Sequence, residues 1–304
     1  MPLTAARTLV IGSRGSPLAL WQARYVAAKL EALGVATRID MIKTTGDRLQ
    51  TSKLPEAADK GIFTKEIEEA LLAGTVDLAV HSLKDLPAEM PEGLAIAAVP
   101  PREDARDALV GRALDDLPKG ARIGTGSGRR AAQLKALRPD LTLAPVRGNV
   151  DTRIRKLHEG QHDALMLAAA GLRRLGLERE IAQIFSPAEI CPAPGQGALA
   201  IQGRTDAPAL HICAELNHKP SRQAVLCERT VLAALGGGCD LPMGAFAEIL
   251  NGALEAIAVV ISPNGSRRIE ERAAGSPNAP EELGRRIADA LLARGAKNIL
   301  TSSN

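Results

Sequence analysis

Apolar residues along this chain fall into two alternating patterns, short continuous runs and stripes with helical spacing. Leu9-Val10-Ile11-Gly12 is a run of the first kind and predicts a short buried strand. Ser16-Pro17 then opens a helix, with Ser16 as N-cap and proline at the first helical position. Within it Ala19, Ala23, Val26, Leu30 and Leu33 advance by four, three, four and three, and Gly34 stops it. The pattern continues with a strand near 38–42, a helix from about 64 to 73 and a strand at 77–80. After Pro100-Pro101 the alternation resumes. It predicts a strand at 122–124, a helix from near Arg129, a strand near 141–146, a helix near 152–158 and a strand at 164–167. The last stretch predicts a helix at 223–235, strands at 245–250 and 254–261, and a helix at about 281–293. Strands alternating with helices argue for open α/β sheets covered on both faces. Proline- and glycine-punctuated stretches at 100–104, 186–197 and 217–223 are the expected boundaries.

Composition narrows the function. The chain has 304 residues, is 45% hydrophobic and 24% charged, and carries a net charge of +3, an ordinary globular composition with room for two or three cores. Trp21, Tyr25, Phe63, Phe185 and Phe246 are its whole aromatic set, too scattered for a base-stacking platform, so no nucleic-acid partner is expected. No apolar run approaches the ~20 residues of a membrane span, and residues 1–6 lack the apolar core of a signal peptide. A cytoplasmic protein without a membrane partner is the expectation. Cys191, Cys213, Cys227 and Cys239 show no CxxC pairing and read as free thiols, with no metal site.

Unusual polar residues collect where predicted strands end, the place where open α/β sheets bind ligands. Arg14 and Ser16 follow the first strand, and Lys84 and Asp85 follow the strand at 77–80. Thr125, Ser127, Arg129 and Arg130 follow the strand at 122–124; Arg147, Arg153, Arg173 and Arg174 come after later strands. Arginines at a helix start oppose the macrodipole and call for an anion, and guanidinium groups grip carboxylates bidentately. Any single one also reads as part of a solvated basic face. Asp85, beside Lys84, should stay charged and suits stabilising a cation more than donating a proton. His81 has no metal-spaced histidine or acidic partner nearby and reads as a hydrogen-bonded strand-end residue. Gly124-Thr125-Gly126-Ser127-Gly128 is misspaced for a dinucleotide or P-loop but suits a hydroxyl-lined anion site. Cys239 follows Gly236-Gly237-Gly238, a loop whose glycines suit close approach of the backbone to a ligand.

Several motifs together resemble porphobilinogen deaminases. They are Arg14-Gly15-Ser16-Pro17-Leu18-Ala19-Leu20-Trp21-Gln22, His81-Ser82-Leu83-Lys84-Asp85-Leu86-Pro87 and Val146-Arg147-Gly148-Asn149-Val150, followed by Pro194-Gly195-Gln196-Gly197-Ala198 and Leu235-Gly236-Gly237-Gly238-Cys239. The resemblance implies stepwise condensation of porphobilinogen into a linear tetrapyrrole with release of ammonia. It implies a dipyrromethane cofactor held by a thioether to Cys239, and Asp85 as the catalytic residue. Cofactor contacts fall on Lys84, Asp85, Thr125, Ser127, Arg129, Arg130 and Arg153. Substrate contacts fall on Arg14, Ser16, Gln22, Lys60, Arg147, Arg153, Arg174 and Gln196. Each porphobilinogen carries two carboxylates, which the surplus of arginines answers. Glu56-Ala57-Ala58-Asp59-Lys60-Gly61 departs from the family pattern by placing two acidic residues in a stretch usually richer in Lys and Gly.

By the same resemblance the fold has two periplasmic-binding-protein-like α/β lobes and a smaller C-terminal α+β domain, and the protein is a monomer. The expected division is residues 1–100 plus about 197–216, residues 101–196, and residues 217–304 carrying Cys239. The competing reading of the same residues is a two-lobed anion-binding receptor or sensor domain. A receptor has no need of a cysteine on a triple-glycine loop.

Overall fold

The computed structural model of the chain describes residues 8–48, 63–237 and 242–301. The first stretch of structure comprises β1 (Leu9–Ser13), α1 (Pro17–Ala32), β2 (Thr37–Met41), α2 (Thr45–Arg48), α3 (Lys65–Leu72), β3 (Leu78–Ser82) and β4 (Leu94–Ala98). Next come β5 (Asp107–Val110), β6 (Arg122–Gly124), α4 (Gly128–Leu137), β7 (Thr142–Ala144), α5 (Val150–His158), β8 (Ala164–Ala168), α6 (Ala169–Arg174) and β9 (Ile181–Ile184). The chain then forms β10 (Leu199–Arg204), α7 (Pro208–Ala214), α8 (Lys219–Ala234), β11 (Met243–Leu250), β12 (Ala253–Ile261), β13 (Arg268–Gly275), α9 (Pro280–Ala293) and α10 (Ala296–Thr301). The architecture is mixed α/β with a smaller C-terminal antiparallel sheet and helices, as expected.

Two compact units result, Met1–Arg102 with Ala198–Arg222, and Glu103–Gly197 with Gln223–Asn304. The sheet of the first unit has the order β2-β1-β3-β10-β4, with β1 parallel to β2 and β3. Strand β10 lies antiparallel between β3 and β4. The second unit repeats this plan as β7-β6-β8-β5-β9, with β5 antiparallel to both β8 and β9. In each sheet the antiparallel strand is the first one formed after the chain crosses over from the other unit, at Glu103 and at Ala198. It sits beside the last parallel strand, so the entering segment is anchored at the same end of the sheet as the loops that carry the site.

Local sequence explains the elements that matter most. Strand β1 is buried along its whole length, as its apolar run requires. Ser16 caps α1, its Oγ accepting from Ala19 N at 3.3 Å, and Pro17 occupies the first turn, where a missing N–H costs nothing. The buried face of α1 is Gln22, Ala23, Val26, Ala27 and Leu30. Leu33, expected on that stripe, is instead the C-cap and 50% exposed, because the helix ends before its side chain can turn inward. On one face of the first sheet Ile11, Leu30, Leu78, Val80 and Ile201 pack together, and Val10, Ile67, Leu71 and Val76 pack on the other.

In the second unit Ile123, Leu134, Met166 and Phe185 fill one face of the sheet, while Val110, Leu157, Leu165 and Leu172 fill the other. The antiparallel meander β11-β12-β13 packs Ile257, Val259 and Ile261 against Ala132 of α4 and Cys191. The C-terminal sheet therefore braces the helix that begins with Arg129 and Arg130.

Gly197 sits where the chain leaves the second unit. Its φ is +84°, and a Cβ there would lie 2.3 Å from Glu103 O. Gly197→Ala is expected to destabilise the protein by about 1–3 kcal/mol, through left-handed backbone strain and overpacking. A lowered urea midpoint with an unchanged m-value is the expected measurement; an unchanged midpoint contradicts it.

Candidate active site

In the first unit, the carboxyl ends of β1 and β3 open into a pocket of about 70 Å³. Arg14, Ser16, Gln22, His81, Ser82 and Asp85 line it, together with Phe63 and Thr64. Leu83 and Leu86 are 0% and 1% exposed and pin a 3-10 turn, Leu83–Asp85, to the core. Backbone bonds from Leu83 N to Ala198 O and from Leu86 N to Leu83 O close the turn. With both leucines inward, the intervening Lys84 is half-buried and Asp85 is exposed at the pocket. The alternation of Leu83-Lys84-Asp85-Leu86 is what presents this carboxylate.

Arg14 is held from two sides. Its Nη2 and Nε reach Asp47 Oδ1 at 2.5 and 3.1 Å, and its guanidinium carbon lies 4.2 Å from the Phe63 ring centroid. A Cβ at Gly46 would come within 2.2 Å of that ring, so only glycine lets Phe63 lie so close. Burial pulls the Asp47 carboxyl up, but the Arg14 guanidinium and the Thr44 hydroxyl more than offset this and hold its pKa below the ordinary value. Gln22 donates from Nε2 to Ser82 Oγ at 2.8 Å, linking α1 to the end of β3.

Behind the pocket, His81 is hydrogen-bonded at a strand end as expected, in a buried relay whose other members the sequence did not signal. His81 Nε2 is 3.0 Å from Gln202 Oε1, and Gln202 Nε2 is 3.1 Å from Glu68 Oε1. Burial pushes the His81 imidazole down to about 4, with the Gln202 hydrogen bond opposing and the Arg14 charge assisting.

The second unit gathers a different group. Ser127 caps α4, and Thr125 Oγ1 accepts from Ser127 N at 3.2 Å. Arg129 and Arg130, expected to meet an anionic ligand at this helix start, turn inward and are 5% and 6% exposed. Both converge on Asp107, at the start of β5 and fully buried. Arg129 Nη1 bonds Asp107 Oδ2 at 2.7 Å and Cys191 O at 2.5 Å. Arg130 Nε bonds Asp107 Oδ1 at 2.8 Å, and further bonds reach Met166 O and Gln196 Oε1, each at 3.2 Å. Gln196 Nε2 donates to Asp107 Oδ1 at 2.9 Å and to Ala105 O at 2.7 Å. Burial pushes the Asp107 carboxyl up, yet the two guanidiniums and the Arg129 and Gln196 hydrogen bonds hold it well below the usual carboxylate range.

Asp107 was absent from the sequence expectations. The available signal was a carboxylate opening the apolar run Asp107-Ala108-Leu109-Val110, since a charge in a buried strand must be paired.

Arg174 Nη2 donates to Gly197 O at 2.6 Å, and Arg153 Nε donates to Gly148 O at 2.7 Å. Burial, reinforced by the Arg130 charge, lowers the Arg153 guanidinium to about 10. Among the described residues no carboxylate pairs with it. Arg147 is exposed, its backbone O accepting from Lys156 Nζ at 3.1 Å. Two buried guanidiniums against one Asp107 carboxylate, with Arg153 close to Arg130 and the Thr125 and Ser127 hydroxyls at the start of α4, leave this region net cationic. These residues fit a group bearing several carboxylates.

Lys60 and Cys239 lie outside the described residues, as does the Glu56–Asp59 loop. The three described cysteines, Cys191, Cys213 and Cys227, are fully buried, and burial pushes each thiol up to about 12, which makes them poor nucleophiles. Glu228, on α8, accepts from Gly195 N at 2.6 Å and from Ala247 N at 2.8 Å. Its carboxylate thereby ties the loop before Gln196 to the helix preceding and the strand following residues 238–241.

Asp107→Asn removes one charge and leaves two buried guanidiniums uncompensated. A stability loss of about 3–5 kcal/mol is expected by urea denaturation, and a loss below 1 kcal/mol contradicts the assignment. For His81 the folded pKa, about 4, lies below its ordinary 6.5, so the unfolded chain binds more protons between these values. Stability is then fully present above about pH 6.5 and declines toward pH 4, by up to roughly 3 kcal/mol from this residue. His162, whose pKa is also lowered by burial, adds with the same sign. Urea midpoints measured from pH 7 to 4 should show a shallower slope for His81→Asn than for the wild type.

Two family descriptions match the chain. "Porphobilinogen deaminase, dipyromethane cofactor binding domain" covers residues 9–211, and "Porphobilinogen deaminase, C-terminal domain" covers residues 222–293. The porphobilinogen deaminase of Syntrophobacter fumaroxidans is 46% identical over 97% of this chain and 97% of its own. Those of Syntrophomonas wolfei and Syntrophus aciditrophicus are 47% and 48% identical over 97% and 95% of this chain, and over 98% and 97% of their own. Among solved structures, a periplasmic substrate-binding protein of an ABC transporter from Coxiella burnetii shares 16% identity over 70% of this chain and 93% of that one. Its TM-score is 0.44, a likeness that adds nothing to the family match. Matched over nearly its whole length by both family descriptions and by relatives at almost half identity, the chain belongs to the porphobilinogen deaminase family.

Proposed function

We propose that this chain is a transferase that joins four porphobilinogen molecules head to tail into hydroxymethylbilane, releasing one ammonia at each addition. The observation that carries the proposal is the exposed Asp85 carboxylate on a core-pinned turn, in one pocket with Arg14, Ser16 and Gln22. Asp85 accepts hydrogen bonds from pyrrole N–H groups and stabilises the cation left on the substrate when ammonia departs. A fixed charge aimed at a developing one is usually the largest single contribution to lowering such a barrier.

The dipyrromethane cofactor, when bound, supplies the pyrrole carbon to which substrate units are added. Cys239 is its attachment point through a thioether, a reading supported by the inert state of the three described cysteines. Lys84, Thr125, Ser127, Arg129, Arg130 and Arg153 hold its carboxylates, while Asp85 accepts from its pyrrole N–H groups. Arg129 and Arg130 contribute through the net positive charge they share with Arg153, since their N–H groups already serve Asp107. Substrate carboxylates fall to Arg14, Ser16, Gln22, Lys60, Arg147, Arg153, Arg174 and Gln196. Among the described residues no helix is long and apolar enough to cross a membrane. The reading extends to a cytoplasmic monomer acting on a small molecule alone.

Purified protein should be heavier than its sequence mass by two linked pyrrole units, and Cys239→Ala should abolish both the excess mass and the activity. An unmodified protein that still consumes porphobilinogen sinks the thioether. Asp85→Asn should lower turnover by on the order of 10²–10³, with Asp85→Glu retaining more. Equal rates for Asp85→Asn and wild type remove Asp85 from the chemistry.

A further inference from the structure

The relay behind the pocket determines which nitrogen of His81 carries the proton. A carboxylate only accepts, so at 3.1 Å from Glu68 Oε1 the Gln202 side chain must present its amide nitrogen. Its oxygen therefore faces His81 at 3.0 Å, and Nε2 of the imidazole must be the donor. In a neutral ring Nδ1 is then a bare acceptor. His81, Gln202 and Glu68 are 6%, 0% and 9% exposed, so water does not scramble the orientation. Strand β3, which carries His81, lies between β1 and β10, and Gln202 is on β10, so the sheet itself sets the ring's position.

His81 lines the same pocket as Arg14, Gln22 and Asp85, and its Nδ1 has no protein partner among the described residues. The charged groups around it are the Arg14 guanidinium, the Asp85 carboxylate in the pocket and Glu68 behind Gln202.

We infer that His81 is a second substrate-contacting residue of this site, a neutral imidazole whose Nδ1 accepts an N–H hydrogen bond from porphobilinogen, with Gln202 and Glu68 as positioning residues. This rests on the deaminase reading above. The substrate brings N–H donors, on its pyrrole ring and its aminomethyl group, into a pocket where positive charge develops. A second carboxylate beside Asp85 would raise the pKa of one of the pair, and an imidazolium would repel the forming cation. A neutral acceptor does neither. The Glu68–Gln202 relay supplies one by holding the proton on the far nitrogen.

The test compares two isosteres in the cofactor-loaded enzyme. In His81→Asn the side-chain oxygen falls where Nδ1 was, whereas in His81→Gln the amide reaches the Nε2 position and leaves no acceptor at Nδ1. His81→Asn should stay within about tenfold of wild-type kcat/KM, and His81→Gln should fall about ten- to a hundredfold further. If the contact to Gln202 is merely structural, the order reverses, and that result overturns the inference. Intact mass and thermal melting of each variant show that it is folded and loaded.

A readout independent of activity is the ¹⁵N spectrum of histidine-labelled holoenzyme, with His81 assigned by its loss in His81→Asn. The Nε2–H tautomer is expected from pH 6 to 8, and Glu68→Gln, which offers Gln202 a donor as well as an acceptor, should admit the Nδ1–H form. Porphobilinogen should shift the Nδ1 resonance. A shift also given by the analogue with methyl in place of aminomethyl assigns the donor to the pyrrole N–H, and a shift with porphobilinogen alone assigns it to the aminomethyl nitrogen. No shift with either, or an Nδ1–H tautomer in the wild type, overturns the proposal. Wild-type protein inert toward porphobilinogen overturns the deaminase reading and with it the substrate contact, while the tautomer still reports on the relay.

Discussion

Asp107 is a fully buried carboxylate on an otherwise apolar strand, and much of the second unit is arranged around its charge. Removing such a group from water costs several kcal/mol unless partners replace the solvent. Here the replacement comes from two guanidiniums and an amide, contributed by α4 and by the loop at Gln196. Because those side chains also bond Cys191 O and Met166 O, one charge fixes the start of α4, the edge of β8 and the loop leading back to the first unit. The C-terminal sheet presses on the same helix through Ala132. Two positive charges against one negative leave the assembly cationic, and that residue of charge is what Arg153 extends.

The first unit solves a different electrostatic problem. Its pocket brings the Arg14 guanidinium and the Asp85 carboxylate together at the ends of β1 and β3. Arg14 is steadied by Asp47 and the Phe63 face, which holds a cation in place along the pocket lining. Asp85 stands exposed on a turn whose flanking leucines do the anchoring, so its carboxylate is positioned by apolar contacts and stays available to a ligand. Burial lowers the His81 imidazole pKa to about 4, so this ring adds no charge to the pocket lining near neutral pH.

A division of labour between burial and charge runs through both units. Groups that create the field, Asp107 with Arg129 and Arg130, are sealed in the core, where their interaction is strong and unscreened by salt. Groups suited to meeting ligand, Asp85, Ser16 and Arg147, sit at strand ends with solvent access. Cysteines follow the same logic. Burial makes the three described thiols, Cys191, Cys213 and Cys227, inert.

The sequence alone determined what is local. The Ser16-Pro17 helix start, the apolar run of β1 and the alternation of strands and helices were all readable from spacing and capping, because each depends on neighbours a few residues apart, whereas the turn that presents Asp85 appears only in the structure. The strands at 94–98, 107–110, 181–184, 199–204 and 268–275 were not read. β10 has β3 and β4 on either side, and β5 has β8 and β9; for both, pairing across the chain rather than an intrinsic pattern makes them strands. The partners of the site residues were equally invisible. His81 finds Gln202 across 121 residues, Gln202 finds Glu68 across 134, and Arg129 and Arg130 find Asp107 across 22 and 23. A sequence can show that a charge or an imidazole is present. Only the tertiary fold decides whether it meets solvent, a ligand or a buried partner, because desolvation and pairing depend on groups the chain brings together from afar.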